Sequence, residues 1–174
     1  MTTQSAINWP KKYTPGLTDN YVSNEIIVKD LSVNDVWKYL VDTKYWTKYY
    51  KNASDITFPN GGGDELAADI DFSFSTFGFP PLDAKVIEFV APAKGQAARL
   101  SWTAKQDGSP QEKLDVLHAW LLEDLDGGRV RILTQESQIG KPAADLAKAN
   151  PNPMLNGHQD WLNGLRDIAL KNKN

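Results

Sequence analysis

The sequence predicts an α+β fold of the helix-grip type: a curved antiparallel β-sheet wrapped around a long C-terminal helix, with two short helices after the first strand. Three observations carry this. From about residue 53 to residue 139 the chain runs as alternating or β-branched segments divided by turn clusters such as "PNGGGD", "KQDGSP" and "DGG". From Pro153 onward, one apolar stripe (Met154, His158, Trp161, Leu162, Leu165, Ile168, Ala169) recurs at helical spacing. Between the first strand and the others lies "SVNDVWKYLVDTKYWTKYY", dense in aromatics at i, i+3 and i+4. A sheet with one apolar face needs a cover, and the final helix has the stripe to supply it.

Residues 1–23 carry Pro10, Pro15 and Gly16 and read as an extended arm. Trp9, Tyr13 and Tyr21 predict that it lies on the body, which leaves 24–174 as a single domain. "NEIIVKDL" (24–31) is the first strand. Ser32 then supplies an N-cap with Asp35 at the third helical position, and Val33, Val36, Trp37, Leu40 and Val41 share one face. Tyr45, Trp46, Tyr49 and Tyr50 mark a second short helix. In "ELAADIDFSFSTF" (65–77), Leu66, Ala68, Ile70, Phe72 and Phe74 alternate with polar or small residues, the pattern of a half-buried strand. Further strands are expected at 83–91, 97–104, 111–125 and 129–139, the last two joined as a hairpin through "DGG". A short helical turn at 142–149 ends before Pro151. Asn152 as N-cap with Pro153 behind it opens the long helix.

Composition narrows the function. The 174 residues, 41% hydrophobic and 24% charged, suit one globular unit. The net charge is −3 with Lys and Arg dispersed, which argues against nucleic acid as a partner. No run approaches the ~18 apolar residues of a membrane span, and the opening "MTTQSAINWPKKY" has no leader-like apolar stretch, so a cytoplasmic location is expected. With no cysteine there are neither disulfides nor thiolate metal sites.

The chain has two histidines, and both fall on inward faces. His118 shares its parity with Leu114, Val116, Trp120 and Leu122; His158 sits mid-stripe on the long helix. Glu136 shares parity with Val130, Ile132 and Thr134. If helix and sheet face each other, both imidazoles look into the same space, and Glu136 joins them where its strand parity faces inward, the pairing register being left open by the sequence. Such a group can anchor a ligand's polar end or act as general acid/base. It is also the two-His, one-carboxylate set of a metal site, but its scatter over three elements lends that no support from spacing; no metal and no cofactor is expected. Phe72, Phe74, Trp102, Trp120, Trp161 and Leu165 are the expected cavity wall, with Thr134 beside the anchors. If the aromatics fill the cavity, binding fails. Gly157 and Gly164, beside the stripe, favour close helix–sheet packing over a hinge. "PNGGGDE" (59–65) lacks a phosphate-loop ending; it and "FGFPP" (77–81) are expected at the cavity mouth. No nucleophile elbow, His-Glu-x-x-His pair or dinucleotide fingerprint is present.

"VNDVWKYLVDTKYWTKYY", "VLHAWLLEDLDGGRVRILTQESQ" and "GHQDWLNGLRDIAL" resemble the helix pair, penultimate hairpin and closing helix of the START-like, or SRPBCC, superfamily, which includes Bet v 1-like proteins. "NWPKKYTPG" and "STFGFPPLDAKVIEFVAP" resemble a bacterial subgroup described as polyketide cyclase/dehydrase and lipid-transport-like. The resemblance spans about Trp9 to Leu170. It implies binding of an apolar or aromatic small molecule between sheet and helix, in a monomer or homodimer; only some members are enzymes, and it carries no catalytic residue over. Three functions stand: binding of a hydrophobic small molecule for transport or sequestration; catalysis of cyclase, aromatase or dehydratase type with His118 or His158 as acid/base; or protein interaction by a domain with a filled core.

Overall fold

The structure, a computed structural model, describes residues 4–173. Seven strands form one antiparallel sheet in the order β1-β7-β6-β5-β4-β3-β2. These are β1 (Asn20–Lys29), β2 (Ala53–Thr57), β3 (Asp71–Thr76), β4 (Leu82–Val90), β5 (Ala98–Gln106), β6 (Leu114–Leu125) and β7 (Arg129–Ile139). Helix α1 (Val33–Val41) follows β1, and α2 (Trp46–Tyr49) follows a 3-10 turn at Thr43–Tyr45; α3 (Lys141–Lys148) and α4 (Pro153–Lys171) close the chain. The helix-grip arrangement is therefore present, with six strands between the short helices and the last two.

Local chemistry sets the element ends. The Ser32 side chain accepts from the Asp35 amide while Asp35 accepts from the Ser32 amide, a complete capping box. Asn152 caps α4 by accepting from the Met154 amide at 3.0 Å. Two expected boundaries move. The first strand begins at Asn20, not residue 24, because Asn20 to Ser23 pair with Gln138 to Gln135 on β7. The strand expected at 65–77 is confined to 71–76: Leu66 instead bonds back to the Val41 carbonyl, and Asp69 takes a positive φ of 61° that breaks the extended run.

The concave face packs on α4 through Met154, His158, Trp161, Leu162, Leu165 and Ala169, while Ile168 is only half-buried. The convex face meets residues of the N-terminal segment: Ile7 packs on Ala119, Leu121 and Leu133. Arg131, held between Glu25 and Glu123, donates to the Ser5 carbonyl at 3.0 Å. Both glycines beside the stripe mark close approach. A Cβ on Gly157 would lie 2.1 Å from the Phe77 ring, and one on Gly164 would lie 2.2 Å from the Tyr49 carbonyl oxygen.

Candidate functional site

Strand register brings the candidates together. His118 on β6 pairs directly with Glu136 on β7, and Trp102 on β5 pairs with His118 on its other side. In an antiparallel ladder such partners project from the same face, here toward α4, which supplies His158. Glu136 Oε2 lies 3.1 Å from His118 Nδ1 and 3.2 Å from His158 Nε2. The imidazoles stack with centroids 4.4 Å apart and planes 19° apart, and Trp120 also stacks on His118 at 5.3 Å. All three groups are buried, at 2% (His118), 5% (Glu136) and 1% (His158) exposure.

A chain of amides orients the carboxylate. Asn152, the α4 cap, donates to Asn20 Oδ1 (2.9 Å); Asn20 donates to Gln138 Oε1 (2.7 Å); Gln138 donates to Glu136 Oε1. Each amide must point one way for this sequence to hold. His118 Nε2 lies 2.7 Å from Thr134 Oγ1, which also reaches the Ala119 carbonyl at 3.2 Å.

Electrostatics follow from burial. Loss of water pushes His118 down to about 3, His158 acts in the same direction, and Glu136 opposes both. Burial alone would raise the Glu136 carboxyl, but the two imidazoles and the Gln138 amide hold it below its usual range. The groups within ion-pair distance of it among the described residues are those two rings, each a counter-charge only when protonated.

The space beside this cluster is small. A cavity of about 20 Å³ remains between sheet and α4, room for about one water. Of the ten expected binding residues, Phe74, Trp102, His118, Glu136, His158 and Trp161 line it. Phe72, Trp120, Thr134 and Leu165 do not. Phe72 stacks on Phe74, Trp120 backs His118, Thr134 holds His118, and Leu165 is fully buried in the core. The aromatics thus take most of the volume expected to be open. Met154, Gln138, Leu82 and Thr76 also line the cavity; the signals available were the α4 stripe for Met154 and strand parity for two others, since Thr76 continues Phe72 and Phe74 and Gln138 continues Thr134 and Glu136.

Of the two expected mouth loops, only "FGFPP" reaches the cavity, through Phe77 and Phe79. The ring of Phe77 rests on Gly157 and lies 6.3 Å from His158. The glycine-rich 59–65 segment does not line it: Asp64 and Glu65 are tied to Thr43 and Asp42 at the end of α1.

Two buried polar atoms on cavity-lining residues, Trp102 Nε1 and His158 Nδ1, find no hydrogen-bond partner among the described residues. Each such atom costs about 1–3 kcal/mol.

A curved sheet gripping a long helix, with polar side chains lining a small space between them, is the helix-grip fold of START-like proteins. The chain shares the fold of START-like, Bet v 1-like proteins, and it belongs to one family with a hypothetical protein of Helicobacter pylori. It is similar to the crystal structure of the hypothetical protein jhp0584 from Helicobacter pylori, at 51% identity over 97% of this chain and 99% of that one, with a TM-score of 0.91. It shares its fold with norcoclaurine synthase from Thalictrum flavum, solved with dopamine and hydroxybenzaldehyde (11% identity, 99% of each chain, TM-score 0.61). It shares it also with the di-domain aromatase/cyclase BexL (10% identity, 84% of this chain and 45% of that one, TM-score 0.57). No family model matches the sequence, and neither does any curated protein. Among the described residues, no helix is long and apolar enough to cross a membrane.

Proposed function

We propose that the chain binds a small apolar or aromatic molecule carrying a polar group, seated between sheet and α4 with its polar end at His118, Glu136 and His158. The observation that carries this is that two residues lining one cavity, Trp102 and His158, each keep a buried polar atom (Nε1 and Nδ1) without a hydrogen-bond partner among the described residues. A ligand that supplies partners there recovers hydrogen bonds the protein alone forgoes. The cavity as it stands is too small, so the molecule takes the place of the Phe77 ring. Phe77 is suited to leave: it is half-buried, sits at a φ of +52°, which side chains seldom adopt, and is followed by Gly78 at +74°.

Native mass spectrometry of freshly purified protein, beside a denatured run, tests for a retained molecule. Titration with a naphthalene dye tests the pocket directly. Phe77→Ala is expected to tighten dye binding about tenfold, roughly 1.4 kcal/mol. A bare mass together with no dye binding by either protein overturns the reading and leaves the filled-core interaction domain.

One observation favours a second reading, catalysis of cyclase, aromatase or dehydratase type. With His118 neutral and Nδ1–H toward Glu136, the Thr134 hydroxyl donates to Nε2. With His118 as imidazolium, Nε2–H donates to the same oxygen, whose proton turns to the Ala119 carbonyl. Either state is fully paired at Nε2, a property useful to a group that passes protons. Turnover that survived both His118→Ala and His158→Ala would remove this reading.

A further inference from the structure

The geometry points to a divalent transition-metal site formed by His118 Nδ1, Glu136 Oε2 and His158 Nε2. The three donor atoms come from β6, β7 and α4, are buried, and all lie within 4.8 Å of one another. Two donors held ~2.1 Å from an ion at ~95–100° stand roughly 3.1–3.2 Å apart. Those are the distances from Glu136 Oε2 to the two ring nitrogens, 3.1 and 3.2 Å.

The surroundings match a ligand set. A metal-bound imidazole donates its other N–H to an oxygen that fixes the ring; His118 has Thr134, backed by the Ala119 carbonyl. A ligating carboxylate is itself hydrogen-bonded, and Glu136 has Gln138, Asn20 and Asn152 in series. A buried carboxylate needs a counter-charge, and no Lys or Arg among the described residues pairs with Glu136. Two histidines and one carboxylate leave coordination positions open, as in zinc hydrolytic sites and non-haem ferrous sites. The cavity beside the cluster holds about one water, enough for one further ligand.

One feature of the cluster must change for the three donors to share an ion. A shared ion lies in the plane of each ring, whereas the rings here are nearly parallel. His158 is the ring that turns, in a rotation that must keep Nε2 beside Glu136 Oε2, since its Nδ1 has no partner while His118 is pinned by Thr134. The site does not depend on the pocket admitting an organic molecule, so metal binding and dye binding are separate readouts.

The chain's composition sharpens the test: with two histidines and no cysteine, imidazole ligation of zinc or cobalt can come only from this cluster. Tag-free protein stripped with chelator is titrated with Zn²⁺ by calorimetry and with Co²⁺ by visible absorption. The expected result is one ion per chain, with Co²⁺ d–d bands and quenching of tryptophan fluorescence, because Trp102, Trp120 and Trp161 lie 4.9–5.4 Å from His118, ring to ring. His158→Gln and Glu136→Gln, each checked for folding by circular dichroism, should abolish the bands. Thr134→Val and Gln138→Leu should weaken binding roughly 10–100-fold while keeping the 1:1 ratio. No stoichiometric binding by the wild type, or binding unchanged in folded His158→Gln, overturns the site.

Discussion

Under α1 and α2, Trp46 is fully buried among Phe72, Phe74, Trp102 and Trp161, at ring distances of 5.0–6.3 Å, and its indole N–H is satisfied by the Leu40 carbonyl. Beneath the Phe77 loop, the same two layers enclose His118, Glu136 and His158 with polar atoms left unpaired. Trp102 belongs to both, packing on Trp46 at 5.6 Å and on His118 at 4.9 Å. The first end maximises burial and leaves the Trp46 indole satisfied. The second gives up hydrogen bonds and volume that stability alone would keep. Departures from full polar satisfaction of this kind gather at functional sites.

The largest expected effect tests the first end. Trp46→Ala removes the ring at the centre of the aromatic cluster and should cost about 3–5 kcal/mol in denaturant unfolding. If it costs under about 1 kcal/mol, the aromatic end is not what holds the fold, and the contrast fails.

A smaller effect, set by pH, belongs to the second end. Unfolded, His118 takes up a proton below about 6.5; folded, it does so only near 3. Between those values the unfolded chain binds more protons, so acidification favours unfolding. Glu136, held below its usual range when folded, acts in the same direction, its contribution being lost as pH falls through the carboxylate region. Stability should therefore decline below pH 6.5, approaching at most about 1.4 kcal/mol per pH unit for one differential proton. In His118→Gln the decline between pH 6.5 and 4.5 should flatten. A wild type equally stable across that window would contradict the buried, neutral imidazole.

Much of this was readable in the sequence, for reasons that differ residue by residue. Strand parity placed His118, Trp120, Glu136 and Thr134 inward because one polar–apolar period spans each strand. The α4 stripe did the same for His158. Pairing register was not readable, since period-2 patterning is indifferent to which residue lies across; only the fold puts His118 opposite Glu136. Nor was the filling of the cavity. Trp46, Phe72 and Trp161 read as apolar whether they line a space or occupy it, and Phe77 as plug depends on a tertiary contact with Gly157. The amide series was invisible as well, because Asn20 read as arm and Asn152 only as a cap.

That series yields the smallest effect and the sharpest separation of the two ends. Asn152 accepts from the α4 amide and donates to Asn20, which leads through Gln138 to Glu136. Asn152→Ala loses both roles and should cost about 1 kcal/mol, the usual worth of a cap. Asn152→Ser keeps a capping oxygen but is too short to hold Asn20 as the amide does, so most of that stability should return. The acid limb of the stability curve discriminates further: both variants should move it to higher pH together, because a loosened Gln138 holds the Glu136 carboxylate less well. If the Ser variant instead follows the wild-type acid limb, the helix cap and the cluster are independent, and the polar end is positioned by β6 and β7 alone.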